Sequence, residues 1–385
     1  MGFETKTFQV RILLLLLGIS ILAIALFNTN YHDYIAYVKQ WRIISDGGNP
    51  YLGKASDNAY GIIYNLFAYL HVTDLVAVPR GLWILFYFFT ISKLCNFISH
   101  QNPEVNLTWL KLFLLVNPLF LIFGVKYGSN DVFLSSLVLL GIILYLEKKS
   151  LLSGIIIAIA VGFKFVPLLI IPFLIFNNNL KIDYKFLCSS IITITLIYFM
   201  GYLEWGNGII RPLVLGTERV SKIFSIFRFL KANGINLDSY STILVISGAI
   251  GSFLAYVIFK LDRTMSILFC WLNILLLYKV GHPQFYLTPI LLSTLIYGLN
   301  KQIIKRSPFV CICFLTLGLW MFFWSFYYDQ IGLSPRLRDW IGLPHTIILL
   351  TANIWLLKLG FAKRNLVLKK YASENSNSTK ALEYK

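Results

Sequence analysis

Long apolar runs, separated by short polar connections, extend along nearly the whole chain. The runs are continuous and do not alternate with period two, which favours α-helices over the strands of a membrane barrel. Most of them approach the length that crosses roughly 30 Å of hydrocarbon. The pattern therefore predicts an all-α polytopic membrane protein. The candidate spans are 11–27, 80–98, 108–124, 131–146, 151–163, 164–177, 186–203, 241–259, 264–280, 284–299, 308–328 and 343–359.

Two parts of this pattern predict something other than a simple span. The segment 60–71, YGIIYNLFAYLH, is apolar but short, and we expect it to form an interfacial helix in the first loop. The candidates 151–163 and 164–177 are also short, so they can be two helices or one long helix that is broken. The sequence thus predicts about twelve transmembrane helices, with interfacial helices on the first loop.

Basic residues mark one side of the predicted membrane domain. They concentrate in alternate short connections, which is typical of connections that face the cytoplasm. This assignment places both termini in the cytoplasm and agrees with an even number of spans. The other connections then face the outer, non-cytoplasmic side, and nearly all unusual polar motifs lie among them. These outer connections are 28–79, 126–131, 204–240, 280–286 and 329–340.

Composition supports lipid as the solvent of this chain. Of its 385 residues, 13% are charged, whereas a soluble protein has about 25%. The net charge of +17 does not indicate a nucleic-acid partner, because the basic residues group at the ends of apolar runs, as topology signals do. We predict one membrane domain over 1–370 and a disordered cytoplasmic tail over 371–385. The expected location is the bacterial cytoplasmic membrane, or the endoplasmic reticulum membrane in a eukaryote.

Two carboxylates lie at outer ends of predicted spans. Asp33 follows the first apolar run in an aromatic setting, where it could act as a general base or cap an interfacial helix. Both interpretations stay open. Asp131 follows Gly128-Ser129-Asn130 and begins the next span, where helix capping is favoured over acceptance of a hydrogen bond from a ligand.

Further ionisable and polar residues lie near the same outer side. Lys164 interrupts an apolar stretch, so it either extends to the interface or meets a phosphate. His282 and Gln284 in GHPQFY are suited to a pyrophosphate or sugar, or belong to a proline turn. No second histidine stands at metal-ligand spacing. Arg336 and Arg338 can each make a two-pronged phosphate contact.

The outer loop 204–240 combines basic residues with apolar positions at helical spacing. This pattern predicts an amphipathic helix lying on the membrane, with most of its charges contacting lipid headgroups. The apolar positions are Val220, Ile223, Phe224, Phe227 and Leu230, and the basic residues are Arg211, Arg219, Lys222, Arg228 and Lys231.

The order of these motifs resembles a family. The loop with Asp33 leads into GGNPY and YGIIYN, and later come NPLFLIFGVKYGSND, SGIIIAIAVGFKFVPLLIIP and GHPQFYL. Over about residues 10–300 the chain resembles the GT-C glycosyltransferases. Within them it is similar to the polyprenol-phosphate-mannose-dependent mannosyltransferases, including the first mannosyltransferase of GPI-anchor synthesis and its bacterial relatives. The absence of nucleotide-binding motifs agrees with a lipid-linked donor.

The resemblance implies transfer of a hexose, here mannose, from a polyprenyl phosphate to an acceptor hydroxyl on the outer face, with inversion. Asp33 matches the family's acidic residue and is predicted to be the general base. Asn130 and Asp131 would shape the acceptor or sugar pocket, and the donor phosphate would be held by Lys164 with the GHPQ motif. The predicted substrate-binding residues are Tyr60, Lys126, Asn130, Asp131, Lys164, His282, Gln284, Tyr286, Arg336 and Arg338.

The implied partners are the lipid-phosphate sugar, a lipid or glycan acceptor and membrane lipids. No cofactor and no metal are predicted, because Asp33 stands alone where some members have an Asp-X-Asp pair. Gly61-Ile62-Ile63 also departs from the double proline of many relatives. The alternatives are a flippase or transporter of polyprenyl-linked glycans, which should show paired halves, and an O-antigen-type polymerase, which should carry a large arginine-rich outer loop.

Overall fold

The computed structural model describes residues 2–27, 32–52, 58–70, 77–222, 224–300 and 339–383. Within these ranges the chain is helical, and its extended pairing is limited to one bridge between Phe176 and Ile182. The α-helices are α1 (Gly2–Phe27), α2 (His32–Ser45), α3 (Ile62–Asn65), α4 (Val78–Gln101), α5 (Leu107–Leu115), α6 (Asp131–Leu146), α7 (Ser150–Phe163), α8 (Ile171–Ile175), α9 (Tyr184–Trp205), α10 (Arg211–Glu218), α11 (Ile226–Ala232), α12 (Ser241–Ile258), α13 (Arg263–Leu277), α14 (Leu287–Leu299) and α15 (Gly342–Glu383).

Fewer helices are long enough to cross a membrane than the sequence predicts. The described residues contain four such spans, Val78–Gln101, Tyr184–Glu218, Asp238–Ile258 and Gly342–Asn365. A fifth is obtained if α5 and the π-helix Phe120–Lys126, which meet at 54°, count as one broken span. Helices such as α6 and α7 are apolar but shorter than the roughly 20 residues a span needs. The expected number of about twelve is therefore not confirmed, and the candidate 308–328 lies outside the described residues.

Chain breaks explain why several apolar runs form short helices. Pro118 lacks an amide hydrogen, and the helix α5 ends just before it, while the Asn117 side chain accepts the Leu119 N–H at 3.0 Å. Helix α7 ends at Phe163, and Lys164 is extended, with φ −155° and ψ 137°. A 3₁₀ turn, Val166–Ile170, and α8 follow. Residues 151–177 are therefore separate short helices, which decides between the two alternatives that the pattern allowed.

The segment predicted as an interfacial helix, 60–71, forms short helical turns in its described part, and its position relative to the membrane stays a prediction. Its described residues form α3 and a 3₁₀ turn, Leu66–Leu70. Tyr64 and Ala68 are buried, so this segment packs into the protein more closely than a helix lying only on the membrane surface would. The Trp41 indole N–H donates to the Tyr64 carbonyl at 3.2 Å, and this bond ties the segment to α2.

An aromatic cluster holds α2 against the rest of the fold. The ring of Trp41 lies 5.4 Å from Tyr64 and 5.9 Å from Trp83 of α4, measured between centroids. Phe67 lies 5.5 Å from Trp83. Such pairs add stability beyond the apolar area they bury. The cluster therefore fixes the helix that carries Asp33 in its first turn.

The prediction of one amphipathic helix in 204–240 is wrong. Helix α10 ends at Glu218 and α11 begins at Ile226, so the described residues from Val220 to Ser225 are not helical. The Ser225 side chain accepts the Phe227 N–H at 3.1 Å and caps α11 there. At the other end of the chain, α15 includes 371–383 of the tail, and disorder of this tail in solution stays a prediction.

Candidate functional site

A cavity of about 480 Å³ lies where the break after α7 meets the connection between α13 and α14. Tyr60, Asp131, Lys164, His282 and Gln284, five of the residues predicted to bind substrate, line it. They come from four separate parts of the chain. The fold thus brings half of the predicted binding set to one cavity, although their roles in binding stay predictions.

Lys164 and Asp131 form an ion pair in the wall of this cavity. The Lys164 ammonium lies 2.7 Å from an Asp131 carboxylate oxygen, and the Ser129 hydroxyl donates to the other oxygen at 3.2 Å. Asp131 is the first residue of α6, whereas Asn130 holds the N-cap position. The favoured capping interpretation of Asp131 is therefore wrong, because its carboxylate is used by a lysine 33 positions along the chain.

Two aromatic rings complete the surroundings of Lys164. Its ammonium lies 4.6 Å from the centroid of Phe285 and 5.5 Å from that of Tyr60. Rings at these distances attract a cation through their π-faces. Because the extended backbone at position 164 interrupts the helix, the ammonium reaches the cavity instead of the membrane surface. Lys164 is thus a fixed cation whose partners are one carboxylate and two rings.

His282 contributes a neutral group to the same cavity. Removal from water, together with the positive charges of Arg219, Lys164 and Lys222, lowers the pKa of His282 to about 3. At neutral pH its imidazole is therefore uncharged. The ring packs edge-on against Phe285, with centroids 5.3 Å apart. A neutral imidazole here can exchange hydrogen bonds with a hydroxyl or a phosphate oxygen.

Arg219, which the sequence analysis assigned to lipid headgroups, lines the cavity. It follows the last residue of α10, and its N–H donates to the Leu215 carbonyl at 3.1 Å. Its charge acts on the hydroxyl of Tyr278, which also lines the cavity. Nothing in the local sequence separates Arg219 from the other basic residues of its loop. It lies in the cavity wall immediately after α10 ends at Glu218.

Other predicted residues lie away from the cavity wall. Lys126 is exposed at the end of the π-helix, with its ammonium 5.8 Å from the Tyr127 ring. Asn130 is fully buried, and its amide has no hydrogen-bond partner. Tyr286 is buried and pairs with the ring of His345. Arg336 and Arg338 lie outside the described residues.

Asp33 is described through its backbone alone. It lies in the first turn of α2, one turn before Tyr37. The Tyr60 hydroxyl, in the cavity wall, donates to the Tyr37 hydroxyl at 3.3 Å. The start of α2 is thus linked to the cavity through two tyrosines. The role of Asp33 as general base stays a prediction.

Gly61 determines how closely the loop with Tyr60 approaches α7. Its N–H donates to the Phe163 carbonyl at 3.0 Å, and an added Cβ would lie 2.2 Å from the Gly162 carbonyl oxygen. We expect Gly61→Ala to cost about 1–3 kcal/mol, because backbone must move to admit the methyl group. The melting temperature in detergent should fall clearly below that of Gly251→Ala, where an added Cβ has open space. Equal melting temperatures would contradict this packing.

The residues in the described part of the chain contain no group of three or more His, Cys, Asp or Glu that could hold a metal ion. The chemistry of the cavity is instead that of two cations, a carboxylate, a neutral imidazole and an amide, set in an otherwise largely apolar wall. Such a site suits a ligand that is anionic at one end and apolar at the other. Metal independence stays a prediction.

Comparison with known proteins identifies a family for this chain. A family model described as glycosyltransferase family 87 matches residues 60–280, more than half of the chain. The matched region contains Tyr60, Asp131, Lys164 and Arg219, and it ends two residues before His282. No curated protein matches the chain. The apolar helices and the family together indicate a membrane protein. The chain belongs to glycosyltransferase family 87 and is a membrane glycosyltransferase.

Proposed function

We propose that the protein transfers a hexose from a polyprenyl-phosphate sugar to an acceptor hydroxyl on the non-cytoplasmic face. Mannose is the hexose that we favour. The reaction inverts the anomeric carbon and releases the polyprenyl phosphate. The observation that supports this proposal is one cavity that has cations in its wall and an apolar wall that reaches the exposed surface of the fold. A lipid phosphate has the same two parts.

The cations match the phosphate. Lys164 and Arg219 both line the cavity, and His282, whose pKa is lowered by burial and by both of these charges, is neutral. When the acceptor oxygen bonds to the anomeric carbon, the bond from that carbon to the phosphate oxygen breaks, and both electrons leave with the phosphate. The additional negative charge is stabilised by cations that are already in place. This stabilisation requires no reorganisation of the protein during the reaction.

The apolar wall matches the hydrocarbon chain. Leu168, Leu213 and Ile246 line the cavity and are also 45%, 50% and 46% exposed, so the same side chains face both the cavity and the surface. Helices α10 and α12, which carry two of them, belong to candidate membrane spans. A polyprenyl chain can therefore leave the cavity between these helices and enter the bilayer. We call this opening the α10–α12 portal.

Purified protein in lipid nanodiscs tests the function directly. Polyprenyl-phosphate mannose, glucose and arabinose are each supplied with a panel of lipid and glycan acceptors, and labelled product is separated and counted. Transfer from one of these donors, with inverted linkage by NMR, is expected. No transfer from any of them, with activity from a nucleotide sugar instead, would contradict the donor. Family membership already favours transfer over the flippase and transporter alternatives.

Gly216 lines the cavity at the α10–α12 portal, and an added Cβ there meets nothing within 4 Å. We expect Gly216→Phe to fill the portal and to raise KM about tenfold for a long-chain polyprenyl donor. A donor with a chain of ten carbons or fewer should be affected less than about twofold, because its end stays inside the cavity. Gly251→Phe on α12 is the matched control, since that position is equally open but lies outside the cavity wall. An equal effect on both donors would contradict the portal.

A further inference from the structure

Lys279 is a buried cation to which the proposed reaction assigns no role. It is 2% exposed and follows α13 by two positions. Its ammonium donates to the carbonyl of Thr217 at 2.6 Å and to the carbonyl of Asp238 at 2.9 Å. Burying a cation is costly unless hydrogen bonds compensate for the lost water. An apolar residue at this position would avoid the cost of burying a charge. We therefore look for the role of Lys279 in the two carbonyls that its ammonium binds.

The Thr217 carbonyl lies in the last turn of α10. The final carbonyls of a helix lack partners within it, and the helix dipole makes this end negative. The ammonium of Lys279 satisfies one of these carbonyls and complements the dipole. Arg219 lies two positions after Thr217 and immediately follows the last residue of α10. Lys279 thus holds the helix end from which Arg219 projects to the cavity wall.

The backbone of Lys279 holds the other side of the same segment. Its carbonyl accepts the Lys222 N–H at 2.9 Å, and its own N–H donates to the Ser241 hydroxyl at 2.9 Å. Two positions later, a Cβ on Gly281 would lie 2.4 Å from the Phe224 carbonyl oxygen, so only glycine allows this approach. Arg219 therefore lies between two points, Thr217 and Lys222, that are both bonded to Lys279.

We propose that Lys279 is a positioning residue for Arg219, and that it holds the guanidinium where the phosphate of the lipid donor binds. This inference rests on the proposed function, because that function supplies the phosphate. Lys279 itself touches no substrate and acts through the end of α10. Removal of the Lys279 ammonium should therefore weaken phosphate binding only when Arg219 is present. A general structural role would weaken binding whether or not Arg219 is present.

Binding of undecaprenyl phosphate to the full-length protein in nanodiscs tests this inference without any transfer reaction. Lys279→Met is expected to weaken binding about tenfold, since one charge-assisted hydrogen bond is lost or misplaced. Arg219→Gln should weaken binding by a similar factor, and the double variant no further. The control Lys231→Met, which removes an outer partner of Asp238, should bind within about twofold of wild type.

The double-mutant cycle decides between positioning and structural roles. Losses that multiply in the double variant, or wild-type affinity in Lys279→Met, would overturn the inference. Lys279→Arg, which can still reach both carbonyls, should recover most of the affinity. If Lys279→Met does not fold, Ser241→Ala removes the acceptor of the Lys279 N–H, and its smaller loss should likewise vanish in the Arg219→Gln background. A wild-type protein that does not bind undecaprenyl phosphate would instead refute the proposed donor, and this inference with it.

Discussion

Replacing Asp33 by asparagine is expected to lower the rate of sugar transfer about 100- to 10,000-fold. The acceptor hydroxyl must lose its proton as it attacks the anomeric carbon, and asparagine cannot accept that proton. Donor binding should change less than about twofold, because Lys164 and Arg219, which we assign to the phosphate, are untouched. Single-turnover transfer and polyprenyl-phosphate binding, measured on the same preparation, separate these two effects.

The position of α2 supports this expectation. Tyr37 lies one turn after Asp33, and its hydroxyl accepts a hydrogen bond from Tyr60 in the cavity wall. Asp46→Asn is a matched control, since Asp46 immediately follows the same helix and its backbone N–H forms a turn with the Arg42 carbonyl. That variant should transfer sugar at the wild-type rate. Full activity of Asp33→Asn would remove Asp33 from the mechanism and direct attention to Asp131, the carboxylate that lines the cavity.

Much of the helical pattern could be predicted because it depends on local chemistry. The candidate 131–146 coincides with α6, and 186–203 lies inside α9, since continuous apolar runs bounded by charge are unambiguous. The count of spans could not be predicted in the same way. Whether an apolar run crosses a bilayer depends on where Pro118 and Lys164 break it. The break at Lys164 also involves a partner distant in sequence, because its ammonium pairs with Asp131, 33 positions away.

The candidate site was predicted in part for the same reason. Lys164 stands out because an ionisable residue in an apolar stretch is costly, and this signal is local. Arg219 does not stand out, because the end of α10 that precedes it is bonded to Lys279, 60 positions after Arg219, and this contact is not visible in the local sequence. The role of Asp131 is a third case. A capping residue and the partner of a distant lysine look alike in sequence, and only the 2.7 Å contact distinguishes them.

Removal of either member of the Lys164–Asp131 pair is expected to destabilise the protein by about 3–5 kcal/mol. The side chains are 14% and 5% exposed, so the partner left behind would be a buried charge without a counter-ion. We therefore expect Lys164→Met and Asp131→Asn each to lower the melting temperature in detergent substantially. The double variant carries no buried charge without a counter-ion. Its melting temperature should therefore return most of the way to the wild-type value.

Activity should follow a different order from stability, and this difference is the sharper test. If Lys164 binds the donor phosphate, the double variant stays at least about 100-fold below wild type in kcat/KM even though its fold is restored. If the pair only supports the fold, the double variant recovers transfer together with its melting temperature. The second result would leave Arg219 as the remaining candidate for the phosphate among the cations that line the cavity in the described part of the chain. The first result would show two separable roles for the pair, because pairing with Asp131 would stabilise the fold whereas the charge of Lys164 in the cavity would serve the reaction.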